Sequence, residues 1–296
     1  MLKMDHMIIA TAWNDKVRVL ATVTTELAET ARKKHDLWPT AAAVMGRALT
    51  GGLLMGANLK ESQKLTLRFL GDGPCGAVIV DSNVNSEVRG YMQEPHVDLP
   101  PTATGKLDVG SAVGKGSLII SKDLGFGDPY TGQVPLQTGE IASDIAYYFA
   151  ISEQTPTAIG LGVLVDPEGS VNTAGGYMVQ MMPGVTDEDT AELEHRLHHL
   201  ASPTEIISEN SSAEHILHQI FNPDEIRILE TRTVSFQCNC NRDRLSAILG
   251  SLEIHDLQEM IDQNQPIEMI CHFCREKYYF EQPELMRILK EKVSIS

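Results

Sequence analysis

Apolar and polar positions alternate with two different periods along the first half of the chain. Lys16 to Thr24 alternates enough for a strand, and Lys64 to Leu70 (KLTLRFL) has the period of two that a half-buried strand requires. Ala77 to Val80 and Glu87 to Met92 flank a polar Asp-Ser-Asn turn and predict a hairpin. Thr25 to His35 predicts a helix with one polar face, and Thr40 to Leu59 a helix rich in Ala, Leu and Met. Gly46, Gly51, Gly52 and Gly56 within the second point to close packing against a neighbour. Ser143 to Ser152 predicts a further helix with Ser143 as N-cap. Met178, Met181 and Met182 fit a core strand better than an adaptable contact surface. Gly76-Ala-Val-Ile-Val-Asp81 with Gly90-Tyr-Met92 is echoed by Gly162-Val-Leu-Val-Asp166 with Gly176-Tyr-Met178. A duplicated sheet element and chance hairpin similarity both account for the echo. The expected fold is α+β, with one mixed sheet-and-helix body over residues 1–185.

The pattern changes after that body. Thr186-Asp-Glu-Asp189 is a helix start with acids at the positive end of the dipole. Leu193, Leu197 and Leu200 then form a narrow apolar stripe, and Ile216, Leu217 and Ile220 predict a second short helix. Pro203 and Pro223 interrupt, and Phe221 is the one aromatic residue between 186 and 231. Helices with so little to bury predict a metastable linker over residues 186–231. Charge marks the same stretch, with 11 acidic and 2 basic residues, a net of -9. Residues 232–296 carry 10 acidic and 8 basic and form a third, small region.

Over the whole chain of 296 residues, 40 acidic against 24 basic side chains give a net charge of -16. That argues against nucleic acid or an anionic membrane as partner, since both need a positive footprint. The apolar run Ala48 to Leu59 falls far short of the ~20 residues a membrane span needs. Met1 to Ala10 lacks the apolar core and cleavage site of a signal peptide, so a cytoplasmic location is expected.

Two apparent motifs read better as structure than as chemistry. Gly71-Asp-Gly73-Pro-Cys-Gly76 fits G-x-G-x-x-G, but a strand follows it where a dinucleotide site needs a helix, and Pro74 removes an N–H donor. A Gly-rich turn explains it, with Cys75 as a small turn or core residue. His195, His198 and His199 stand at helical spacing, yet no suitably placed Cys joins them; a solvated helix face is the better account. No G-x-S-x-G, Walker loop or paired-carboxylate arrangement stands out, and the chain is not expected to be an enzyme.

The cysteines are different. Five is an odd number, and four of them, Cys238, Cys240, Cys271 and Cys274, lie in the last 60 residues. Four thiolates suit a tetrahedral Zn2+, one per chain. Val234-Ser-Phe236 leads into the first pair as a strand, Tyr278-Tyr-Phe280 follows the second, and Arg242 to Gln265 predicts two short helices between them. His272 lies between ligands, but four sulfurs already complete a site. Thiols this close in sequence also suit disulfide chemistry. Oxidation could close Cys238 to Cys240 and Cys271 to Cys274; spacing alone leaves the cross-pairings open. Structural zinc supplies ~10–16 kcal/mol of apparent folding free energy, more than the ~5–15 kcal/mol of an ordinary domain. Oxidising the ligands is therefore expected to unfold the tail.

The C-x-C and C-x-x-C pairs, with Gly71-Asp-Gly-Pro74, Gly105-Lys-Leu-Asp108, Thr131-Gly-Gln133, Ser152-Glu-Gln154 and Met182-Pro-Gly184 in order, give a chain that resembles the redox-regulated thirty-three-kilodalton heat-shock chaperone family over nearly its whole length. The resemblance implies an ATP-independent holdase for unfolding client proteins, inactive while reduced and zinc-loaded. It implies activation by zinc release and two local disulfides, Cys238–Cys240 and Cys271–Cys274, with disorder of linker and tail. The active form is then a homodimer with apolar surface uncovered. Cys75 has no place in that switch. The alternatives are a zinc-ribbon nucleic-acid-binding protein, against which the tail's net charge of -2 counts, and a thiol-disulfide protein.

Overall fold

The structure, a computed structural model, describes residues 4–60 and 63–295. Met1 to Lys3, the start of the stretch read for a signal peptide, lie outside the described residues. Contacts divide the chain into two units, Met1–Gln237 and Cys238–Ser296. The first runs β1 (His6–Ala12), β2 (Val17–Val23), α1 (Thr25–His35), α2 (Pro39–Gly56), β3 (Lys64–Gly71), β4 (Ala77–Asn83), β5 (Glu87–Met92), α3 (Val109–Val113), β6 (Gly116–Asp123), β7 (Tyr130–Pro135), α4 (Ala142–Tyr148), β8 (Thr157–Val165), β9 (Val171–Met181), α5 (Asp187–His198), α6 (Pro203–Glu209), α7 (Ala213–Ile220), β10 (Ile226–Thr233) and β11 (Ser235–Phe236).

Two sheets build this unit. The first has the order β10-β1-β2-β9-β8 and is antiparallel throughout. The second has the order β11-β5-β4-β3-β6-β7, with β11 parallel to β5. Helix α2 packs on strands of both sheets. Its glycines make that possible: a Cβ on Gly46 would stand 2.8 Å from Val163 of the first sheet, and one on Gly52 would stand 2.7 Å from Val80 of the second. Leu49, Leu53 and Leu54 fill the space between, with Leu65, Leu67 and Phe69 from β3. Cys75 is part of this core, where burial pushes its thiol up to about 11. The Gly-rich turn before it exists for close approach, since a Cβ on Gly73 would meet the Ala112 carbonyl at 2.5 Å. A strand follows it, as expected for a turn and not for a nucleotide loop.

Two local expectations change. Ser143 is not the N-cap of α4. Ile141 holds that position at φ 69°, and the buried Asp144 accepts the N–H groups of Ile141 (3.0 Å) and Gln137 (2.7 Å). Of the three methionines, Met178 is a core residue, whereas Met182 is exposed.

The acidic segment differs more. The stretch from 186 belongs to the first unit: α5–α7 form an outer layer on the first sheet, and β10 extends the edge of that sheet. Leu193, Ile206, Ile207, Ile216, Leu217 and Phe221 are buried against Ile8, Val17, Val19, Ala21 and Val179. There are three helices where two were expected. Pro203 does not interrupt; it opens α6 at the first helical position, where its missing N–H costs nothing, and Ser202 caps it. The stretch ends in β10, which pairs with β1 from Thr233↔His6 to Ile226↔Ala12 and so crosses the expected boundary at 231. The β1–β2 turn grips it. Trp13, Asn14 and Asp15 are all left-handed there. The Trp13 ring meets Phe221 edge-on at 5.4 Å and lies 5.3 Å from the Arg196 guanidinium, while its Nε1 donates to Glu225 at 3.2 Å. Arg196 donates to both Glu225 oxygens, at 2.6 and 3.1 Å.

Near the same layer, Asp5 is buried, and its Oδ2 accepts the Leu27 N–H at 2.7 Å while Oδ1 has no partner. Burial raises its carboxyl from 3.8 to about 6, against the pull of the Leu27 and Glu26 N–H groups. The fold thus favours the neutral acid, and stability falls as pH rises from about 3.8 to about 6. Asp5→Asn keeps the acceptor and removes the charge. Denaturant midpoints measured below and above that window should show the slope in the parent and a flatter profile in the variant.

The second unit contains α8 (Arg242–Ser251), α9 (Ile254–Asp262), β12 (Ile267–Ile270), β13 (Lys277–Phe280) and α10 (Gln282–Ile295). Its core is small: Leu245, Leu249, Leu257, Ile261, Phe280, Leu285 and Ile288.

Candidate metal centre

Strands β12 and β13 form a hairpin with Ile270 opposite Lys277, and its tip runs from Cys271 to Glu276. The Cys271 N–H donates to the Glu276 carbonyl at 2.9 Å, and the Arg275 N–H returns to the Cys271 carbonyl at 2.8 Å. Arg275 takes a left-handed φ of 61° to close this turn. The closure puts Cys271 and Cys274 side by side at the tip, both buried.

Cys238-Asn-Cys240 lies past the end of β11 and directly before α8. Asn241 caps that helix, its Oδ1 accepting the Arg244 N–H at 2.8 Å. Arg242 then pins the helix start to the hairpin. It donates to the Tyr279 carbonyl and to Glu284, each at 2.6 Å, and its guanidinium lies 4.7 Å from the Phe280 ring. The first cysteine pair is thereby brought to the second.

All four Sγ atoms lie within 4.8 Å of one another. Cys240 and Cys274 are 3.3 Å apart, and Cys238 and Cys271 3.8 Å. A disulfide measures ~2.05 Å, and all five cysteines are free thiols. Tetrahedral bonds of ~2.3 Å put sulfurs ~3.8 Å apart, so the cluster has the dimensions of a four-sulfur metal site. Burial raises the Cys271 and Cys274 thiols above their ordinary range, and the neighbouring sulfurs raise Cys274 further. So crowded a set ionises only with a cation among it, which inverts that preference. The donors are soft and the set is closed, which suits a structural ion and leaves no position for a substrate.

The structure thus gathers the four cysteines singled out by spacing. His272 is exposed and outside the group. One functional contact went unseen in the sequence. The Tyr278 hydroxyl stands 3.4 Å from Cys240 Sγ and 3.4 Å from the Cys240 carbonyl oxygen, as an outer partner that orients a ligand. A tyrosine in a strand gives no signal of that role.

The model of the family described as Hsp33 protein matches residues 5–281. The chain belongs to the Hsp33 family. It is 46% identical over 286 residues to the 33 kDa chaperonin of Desulforamulus reducens, covering 97% of each chain. It is 45% identical to that of Geobacillus kaustophilus, over 96% of this chain and 97% of the relative. The crystal structure of the 33 kDa chaperonin (heat shock protein 33 homolog) of Thermotoga maritima superposes with a TM-score of 0.92 at 36% identity, covering 99% of this chain and 100% of that one. The relatives and the solved structure alike carry the name 33 kDa chaperonin. The family match takes in both units and all four clustered cysteines. Among the described residues, no helix is long and apolar enough to cross a membrane.

Proposed function

We propose that the protein is a redox-regulated, ATP-independent holdase of the cytoplasm, switched by zinc at Cys238, Cys240, Cys271 and Cys274. The observation that carries this is the gathering of four thiols within 4.8 Å in a unit whose apolar core, among the described residues, is a cluster of seven. Zinc bound there supplies a cross-link between the hairpin tip and the start of α8.

An oxidant such as peroxide removes that cross-link. Each pair of sulfurs loses two electrons to one peroxide, which is reduced to water, and one S–S bond forms per pair. The pairs are Cys238–Cys240 and Cys271–Cys274. The 3.3 Å approach of Cys240 to Cys274 depends on the folded hairpin. The neighbours in sequence stay close however loose the tail becomes, so they keep the higher effective concentration. With its small core uncross-linked, the second unit unfolds. The acidic layer α5–α7 then leaves the first sheet. Ile8, Ala10, Val17, Val19, Ala21 and Val179 become an apolar face for unfolding clients and for a second copy of the chain. The net charge of -16 keeps such a form in solution.

Peroxide with mild warming is expected to release one zinc per chain and to stop a denatured client from aggregating in the absence of ATP. Peptide mapping should find the two local disulfides. Client aggregation untouched by the oxidised protein contradicts the function, and a Cys240–Cys274 bond contradicts the pairing.

A further inference from the structure

Five of the ten histidines fall between His195 and His218, and three of them close α5. His195, His198 and His199 are exposed. Residues four apart lie one above the other on a helix. The His195 and His199 ring centres are 4.4 Å apart, and the His198 ring is 5.3 Å from that of His199. His199 Nδ1 lies 2.8 Å from the His195 carbonyl oxygen. A carbonyl only accepts, so Nδ1 carries the proton and donates it. In the neutral ring with its proton on Nδ1, Nε2 keeps a lone pair. A ring nitrogen bonded to a backbone carbonyl, with the other left as donor to a metal, is how ligating histidines are held.

The surroundings favour a cation. The C-terminal end of α5 is the negative end of its dipole, and residues 186–231 carry a net charge of -9. Arg196, the cation within this group, is committed to Glu192 at 2.7 Å and Glu225 at 2.6 Å. Two nitrogens on one tetrahedral zinc stand ~3.4 Å apart for Zn–N bonds of ~2.1 Å. The exposed His195 ring, its centre 4.4 Å from that of the held His199 ring, is the one that turns to supply that spacing. Among the described residues, only the four cysteines bring three or more ligand atoms within 4.8 Å of one another. The histidine site is therefore a two-nitrogen one, completed by water.

We propose that His195 and His199 form a second metal site, separate from the four sulfurs, for a borderline divalent cation of the zinc and nickel class. An ion bridging these residues binds the folded helix and not the unfolded chain, so free zinc favours the docked form of α5. The site stands whether or not the sulfur centre acts as a redox switch.

The test is equilibrium dialysis of the reduced, untagged full chain against micromolar free zinc, with elemental analysis of bound metal. The parent should take up a second, weaker equivalent beyond the tightly held one. His195→Gln and His199→Gln should each lose the second and keep the first, with unchanged helix content by circular dichroism. Loss of the tight equivalent alone would count against the sulfur centre and not against this site. A parent that binds no second equivalent, or a His199→Gln variant that keeps it, overturns the proposal.

Discussion

Cys271→Ser is expected to leave residues 238–296 without metal and without a fixed fold, while the two N-terminal sheets stay ordered. Cys271 does two things at once. Its backbone closes the hairpin tip through Glu276 and Arg275, and its sulfur stands 3.8 Å from that of Cys238. Serine keeps the backbone bonds and removes the soft donor, so the variant isolates the contribution of the metal. That contribution is large: ~10–16 kcal/mol for a structural zinc, against ~5–15 kcal/mol for the whole stability of a typical domain. The apolar core of the unit cannot stand in for it, because seven buried residues are what a chain this short can gather. Metal analysis of the purified variant should find the tight equivalent gone. Hydrogen exchange should find the amides of α8 to α10 unprotected and those of β3 and β4 as slow as in the parent. A strong chelator added to the parent should reproduce the pattern. Normal metal content in the variant, or slow exchange throughout 238–296 in a metal-free chain, would show that the four sulfurs do not hold the unit together.

The sulfur centre was legible because its signal is chemical and local: four soft donors in two short-spaced pairs state their geometry before any fold is known. Strands with one solvated face were legible too. In β3, Leu65, Leu67 and Phe69 point inward and alternate with Lys64, Thr66 and Arg68. The first sheet hides the same information. Both its faces are covered, by α2 on one side and the acidic layer on the other, so β1 (HMIIATA) is apolar at nearly every position and has no period of two. For β10 the reverse holds. It is an edge strand, largely exposed, and nothing in IRILETRT marks its pairing with β1. Helices α5 to α7 bury so few side chains each that their stripes look marginal alone. Their burial comes from a sheet face supplied by residues nearly two hundred positions earlier. In the tail, β12 and α10 escaped notice for a related reason. Their order follows from a hairpin that the Cys271–Glu276 turn closes and from a core shared with α8 and α9.

That covered sheet face yields the second large effect. Ile216→Asp is expected to detach the acidic layer in reduced, metal-loaded protein, with no oxidant present. Ile216 is fully buried in α7 among Leu217, Ile220 and the apolar face of β1 and β2. An unpaired carboxylate there costs several kcal/mol by desolvation, on top of the lost apolar contact. What remains to hold the layer is the rest of its apolar underside, Leu193, Ile206, Ile207, Leu217 and Phe221, together with the Arg196–Glu225 pair under Trp13. Arg196 pulls the Glu225 carboxyl from 4.5 down to about 2. A lowered acid stabilises the fold above its unfolded value, and that help is lost as pH falls from about 4.5 towards 2. Acid should therefore weaken the same attachment, and Glu225→Gln should weaken it at neutral pH while removing that part of the acid dependence. Limited proteolysis between 186 and 225 reads the attachment directly, and Trp13 fluorescence reads the loss of Phe221 and Arg196 from its ring. Suppression of client aggregation by reduced Ile216→Asp ties the uncovered face to function. If the variant resists protease as the parent does, the apolar underside of α7 is not what holds the layer. If it is cleaved readily and yet ignores clients, the outer face of the first sheet is not the surface that binds them.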